Sequence, residues 1–143
     1  MTVTVSVTQP TLSGALIDVT RFGATTEPTA CNTAAFAQAI EAAKQQPGAT
    51  ITVPHGTYHF YVPQATGFIN LADLSDVLLE GNGSEFIFHQ VANYINLTGS
   101  VRVRLQHLTL DWDYENQPLA SVGTVAAVAE DGSHFDVTFP PLR

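Results

Sequence analysis

Asp111, Asp113 and Glu115 form the densest run of carboxylates in the chain, and they alternate with two aromatic residues, Trp112 and Tyr114. On an extended strand alternate side chains share one side, so Asp111 and Asp113 would stand about 6.5–7 Å apart with Trp112 turned inward. That separation lies within the roughly 5–9.5 Å at which two carboxyl groups can act as acid and base across a glycosidic bond. The same pair could bind a cation or mark a solvated strand end. A calcium loop fits poorly, because Asn116 stands at the sixth position, where such loops need Gly, and Val122 at the twelfth, where they need an acid. Asp111 and Asp113 are therefore the candidate catalytic pair, with Trp112, Tyr114 and Glu115 as candidate substrate contacts. The histidines His55, His59, His89, His107 and His134 are scattered without metal-ligand spacing. His55 and His59 are four apart, which makes one face only on a helix, and their stretch reads as strand and bend. Structural roles are expected for all five, with no metal and no cofactor.

The strand that carries the acids belongs to a set of similar stretches. Ile51, Val53 and Phe60 reappear as Val77, Leu79 and Phe86, each 26 residues on, and Val77 and Leu79 reappear as Val101 and Val103. Phe68-Ile69-Asn70-Leu71 is echoed at the same spacing by Tyr94-Ile95-Asn96-Leu97. A repeat of this length signals a solenoid, since one unit cannot bury its apolar face without a neighbour. The unit consists of short strands with period-2 alternation, so the expected fold is all-β, a parallel β-helix. Within each unit the alternation breaks and resumes on a shifted phase: Val101, Val103 and Leu105 share one face, then Leu108, Leu110 and Trp112 take over. A continuous strand cannot change phase without turning its core side to water, but two strands joined by a bend can. Gly81-Asn82-Gly83 supplies such a bend, because Gly and Asn tolerate positive φ. Residues 51–53, 77–79 and 101–103 are expected to stack in parallel, with Ile51 over Val77 over Val101. The alternative is an antiparallel β-sandwich, but hairpin turn signals are absent between the units.

Taken in order, residues 1–14 read as a lead strand or flexible lead, and 15–50 as a cap that contains a helix from about Thr33 to Lys44. Asn32 is the expected N-cap, Phe36, Ala39, Ile40 and Ala43 the buried stripe, and Pro47-Gly48 the stop. Residues 51–113 make three coils, and 114–143 a loop and hairpin. In that last stretch Asp131-Gly132 joins two alternating runs, and Phe135, Val137 and Phe139 share a face.

The stretches Asp18-Val19-Thr20-Arg21-Phe22-Gly23-Ala24, Asn32-Thr33-Ala34-Ala35-Phe36-Ala37-Gln38-Ala39-Ile40 and Thr52-Val53-Pro54-His55-Gly56-Thr57-Tyr58 resemble the N-terminal cap of pectin-lyase-like right-handed parallel β-helix proteins. The resemblance covers about residues 15–113 and implies a right-handed solenoid with a capping helix. The chain departs from the pattern at Thr25-Thr26-Glu27-Pro28, where Gly-Asp-Gly is usual, and at Asn32, which replaces Asp. Leu108 to Phe139 also resembles a segment of β-helix glycoside hydrolases that act as α-1,3-galactosidases, in which a similar acidic strand precedes a Gln-containing loop and a hairpin.

Composition narrows the function. The chain has 143 residues, one Cys, 5 Lys plus Arg against 13 Asp plus Glu, and a net charge of −8. That charge argues against nucleic acid or an anionic membrane as partner, and no run is long and apolar enough to span a bilayer. Lyases of acidic polymers need cations to neutralise substrate carboxylates, and only Arg102 and Arg104 could serve on an outer face. The expected parent is a glycoside hydrolase of neutral, galactose-type oligo- or polysaccharides, of which this chain is the N-terminal portion, inactive alone and prone to self-associate through the open solenoid end. A non-catalytic glycan-binding or surface-fibre module and a polysaccharide lyase stay open as alternatives. An extracellular or periplasmic location would suit such a parent, although no signal peptide is visible.

Overall fold

The computed structural model describes residues 8–64, 67–116 and 123–139. The chain divides into two compact units, Met1–Trp112 and Asp113–Arg143. The first contains strands β1 (Leu16–Asp18), β2 (Thr50–Thr52), β3 (Thr57–Phe60), β4 (Ile69–Asn70), β5 (Ser75–Phe88), β6 (Ile95–Asn96) and β7 (Val101–Trp112). A 3-10 turn (Val19–Phe22) and the helix α1 (Thr33–Lys44) lie between β1 and β2. The lead strand expected at the N-terminus falls largely on residues 1–7, outside the described residues, and 8–14 carry no strand.

Every strand pair in this unit is parallel. β2 pairs with the first half of β5 and β3 with the second half, while β7 runs along the whole of β5. The long strands β5 and β7 thus each comprise two short segments joined by a bend. In β5 the bend is Asn82 at φ 50° and Gly83 at φ 77°; in β7 it is His107 at φ 51°. The register shifts between Glu80 and Ser84, which is the phase change expected there. Gly81 is needed for closeness: a Cβ would lie 2.5 Å from the His107 carbonyl oxygen and 2.6 Å from Leu108 Cβ.

The register differs from the expected one by two residues. Ile51 lies opposite Leu79, not Val77, and Val77 lies opposite Val103, with Ser75 opposite Val101. A two-residue slip preserves which face is buried, so alternation could not distinguish the two registers. The echo at residues 68–71 and 94–97 does pair as expected, Ile69 with Ile95 and Asn70 with Asn96, and Asn96 Nδ2 donates to Asn70 Oδ1 at 2.9 Å.

The inward side chains Ile51, Val53, Val77, Leu79, Phe86 and Phe88 are buried. Phe36 of α1 meets them edge-on, its ring 5.1 Å from Phe60 and 5.2 Å from Phe86. The rest of the expected stripe, Ala39, Ile40 and Ala43, is buried too, and its small side chains let the helix backbone approach the strands. Asn32 does not cap the helix. Its side chain makes no cap bond; instead Thr25 N donates to Oδ1 at 2.8 Å and Nδ2 donates to the His59 carbonyl at 3.1 Å. This buried amide ties the loop before α1 to β3, with both its ends satisfied.

Towards β7 the cover thins. Val103, Leu105 and Leu108 are partly buried, while Val101 and Leu110 are exposed. Among the described residues no strand pairs with the other edge of β7. At its start, Arg102 Nε and Nη2 donate to the two Asp76 carboxylate oxygens at 2.5 and 2.6 Å, and Thr11 N donates to Asp76 at 2.9 Å. The Arg102 hydrogen bond, helped by Thr11, holds the Asp76 carboxyl down at about 2. A depressed carboxylate stabilises the fold above its unfolded pKa and loses that contribution as pH falls through the folded one. Asp76→Asn is therefore expected to lower the urea midpoint at pH 5, with the gap to wild type closing between about pH 4 and pH 2. A gap constant across that range would leave the pair without a role in stability.

The second unit contains β8 (Thr124–Val128) and β9 (Phe135–Thr138), paired antiparallel. Gly132 turns the hairpin at φ 68°, and Ser133 N and Oγ donate to Asp131 Oδ1 at 3.0 and 2.7 Å. Phe135, Val137 and Phe139 are all exposed. Residues 117–122, within the stretch expected to hold the loop and hairpin, lie outside the described residues.

Candidate functional site

Asp111 and Trp112 close β7 in the first unit, whereas Asp113, Tyr114 and Glu115 open the second. Asp111 is exposed and stands opposite Ile87, and its Oδ1 accepts from Trp112 N at 2.7 Å. Trp112 turns inward as expected. It is 6% exposed, with its ring 5.6 Å from Tyr94, so most of the indole serves the core. Tyr114 is the aromatic that remains open to solvent, beside the exposed Glu115. Asn116 N donates to Asp113 Oδ1 at 3.1 Å, and Asn116 Nδ2 donates to both Asp113 oxygens at 3.0 Å. Asp113 is thereby oriented within its own turn.

A second arrangement was not anticipated from the sequence. Glu80, before the β5 bend, and His107, at the β7 bend, come together at the wall of an open cleft of about 730 Å³. Asn82, Gly83, Leu108 and Thr109 complete the lining. Gln106 Nε2 donates to Glu80 Oε2 at 2.6 Å and Asn82 N to Oε1 at 2.9 Å. His107 Nδ1 lies 2.9 and 3.1 Å from the two oxygens. The Gln106 hydrogen bond, then those of Asn82 and His107, hold the Glu80 carboxyl below the usual carboxylate range against the opposing effect of its burial. The signal was available in the repeat: Glu80 and Gln106 stand 26 residues apart. The register found, with Leu79 opposite Leu105 and Glu80 opposite Gln106 rather than Val77 opposite Val101, brings His107 to Glu80.

Nor are the histidines all apart. His59 Nδ1 lies 2.9 Å from His89 Nε2, and the Tyr61 ring stacks on His89 with centroids 3.9 Å apart. The expected scatter fails here because His89 follows Phe88, which pairs with Phe60, so the two imidazoles meet across neighbouring strands. Among the described residues no group of three or more His, Cys, Asp or Glu could hold a metal ion. Of the two cations singled out for an acidic substrate, Arg102 is committed to Asp76, and Arg104 Nη1 donates to Gln9 Oε1 at 2.9 Å.

The chain is similar to three curated proteins. The first, from Bacteroides thetaiotaomicron, is 32% identical over 127 aligned positions covering 77% of this chain and 20% of that protein. The second, from Akkermansia muciniphila, is 28% identical over 118 positions covering 71% and 15%, and the third, from Shewanella woodyi, is 25% identical over 118 positions covering 72% and 19%. All three are named alpha-1,3-galactosidases. Similarity at this level supports a galactosidase-related family, over a part of its members' length. The chain spans a fifth or less of the relatives it matches. No family model matches it.

Proposed function

We propose that residues 1–143 form part of a glycoside hydrolase that acts on neutral glycans ending in α-1,3-linked galactose, built on a right-handed parallel β-helix of the pectin-lyase-like kind. The observation that carries this reading is the similarity to three proteins named alpha-1,3-galactosidases across 71–77% of this chain. The fold reading rests on the parallel pairing, with register offsets of 28 residues between β2 and β5 and 26 then 24 between β5 and β7. Such offsets suit successive coils of one solenoid. In this reading Asp113 is a catalytic carboxyl group, with Tyr114 and Glu115 contacting the sugar in the same unit, while Trp112 anchors β7 from within and Asp111 is a separate candidate carboxylate at the end of that strand. A lyase of acidic polymers is disfavoured because Arg102 is neutralised by Asp76 and the net charge is −8.

The test is an assay of a full-length protein carrying this segment on α-1,3-galactobiose and on pectate, in parallel with the 143-residue chain. Release of galactose by the full-length protein only is the expected result. Galactose release by neither, with binding of the disaccharide retained, would favour a non-catalytic glycan-binding module. Cleavage of pectate would overturn the hydrolase reading.

A further inference from the structure

We propose that the cleft at the β5–β7 bend is a sugar-binding subsite, in which His107 Nε2 takes a hydroxyl of a neutral glycan and Glu80 positions the imidazole. The proposal rests on the glycan reading above but concerns residues that reading does not use. Three observations converge on it. His107 occupies left-handed backbone at φ 51°, a conformation that Gly or Asn adopts at least cost; the neighbouring bend in β5 does use Asn82 and Gly83. Backbone strain at a bulky residue persists where the surroundings hold it, and such places gather at functional sites. The imidazole is also oriented: Nδ1–H donates to the Glu80 carboxylate, so Nε2 is the ring nitrogen that remains to meet a ligand. Finally, the His107 side chain is 66% exposed at the cleft, whereas Glu80 is 18% exposed.

The lining chemistry selects the ligand class. Gln106, Asn82 and His107 already occupy the Glu80 carboxylate, so it orients the imidazole and has little left for a cation. An anion would face that carboxylate and a net charge of −8. Asn82 Nδ2 donates to Thr52 Oγ1 and to the Val53 carbonyl, so Asn82 reaches the cleft with its amide plane fixed. Thr109 adds a hydroxyl and Leu108 an apolar surface, a mixture that suits a sugar's hydroxyls and its C–H face.

The experiment is a titration of the isotope-labelled 143-residue chain with α-1,3-galactobiose, followed by imidazole ¹⁵N and amide resonances. Wild type is expected to bind with the His107 Nε2 resonance moving. His107→Gly suits the left-handed bend, so its melting temperature should hold while affinity falls about tenfold or more. Glu80→Gln should shift the His107 tautomer populations in the sugar-free chain and weaken sugar binding less than His107→Gly does; unchanged binding in spite of the tautomer shift would leave Glu80 with a structural role only. Equal binding by His107→Gly, a silent His107 resonance, or no binding by wild type would each overturn the subsite. Galactose release by the full-length protein would, in any of those cases, leave the hydrolase reading standing.

Discussion

Val77→Asp is expected to destabilise the chain by roughly 4 kcal/mol, while Leu78→Asp one residue later should cost under about 1 kcal/mol. Val77 is fully buried on β5 and lies opposite Val103. A carboxylate there would lose its hydration with no cation or donor aimed at it, and the inward face is packed by other apolar side chains. Leu78 is on the other side of the same strand, partly exposed and opposite Arg104, so a carboxylate at that point keeps water and gains a cation nearby. Urea denaturation of the two variants measures the difference directly. Similar costs for both would mean that β5 is buried on both faces, and the inward ladder would then be wrong.

That contrast relies on the alternation, which is the part of the fold the sequence displays most openly. Val77, Leu79, Phe86 and Phe88 announce a buried face because apolar residues recur every second position, and the shift between Leu79 and Phe86 announces a bend. Register is less visible for the same reason. Pairing Ile51 with Val77 or with Leu79 buries the same faces, and the choice is made by how much chain each bend absorbs. The bends are themselves partly hidden. Asp73 at φ 57° and Gly99 at φ 66° stand 26 residues apart, as do Asp76 at φ 57° and Arg102 at φ 55°. Gly99 could be guessed as left-handed, but Arg102 could not, since what permits it is the two-pronged grip on Asp76 across the strands. The Glu80–His107 contact follows from that register and could not precede it. Asn32 shows the reverse error. Its type fits a helix cap, but a neighbouring carbonyl and amide, those of His59 and Thr25, claim both ends of its side chain. The acidic run was visible as residue types, but its alternation did not show where the strand stops: β7 ends at Trp112, so Asp111 lies on the strand and Asp113 beyond it.

For the run to be a hydrolytic site, Asp113→Asn in a full-length protein carrying this segment should lower turnover of α-1,3-galactobiose by about 10³-fold, the size of a lost acid or base. The melting temperature should stay within about 1 °C, because Asp113 sits in a turn beyond β7 and Asn preserves its shape and the bond from the Asn116 backbone N–H. Asn at 113 keeps an oxygen for the Asn116 backbone N–H, so the turn survives while the proton-transferring group does not. Trp112→Phe supplies the contrasting case: with its ring against Tyr94 in the core, it should lower stability more than turnover. The two variants therefore separate chemistry from packing at adjacent positions. Full activity in Asp113→Asn would return Asp111, Asp113 and Glu115 to a solvated strand end, and the catalytic carboxylates would have to be sought on other coils.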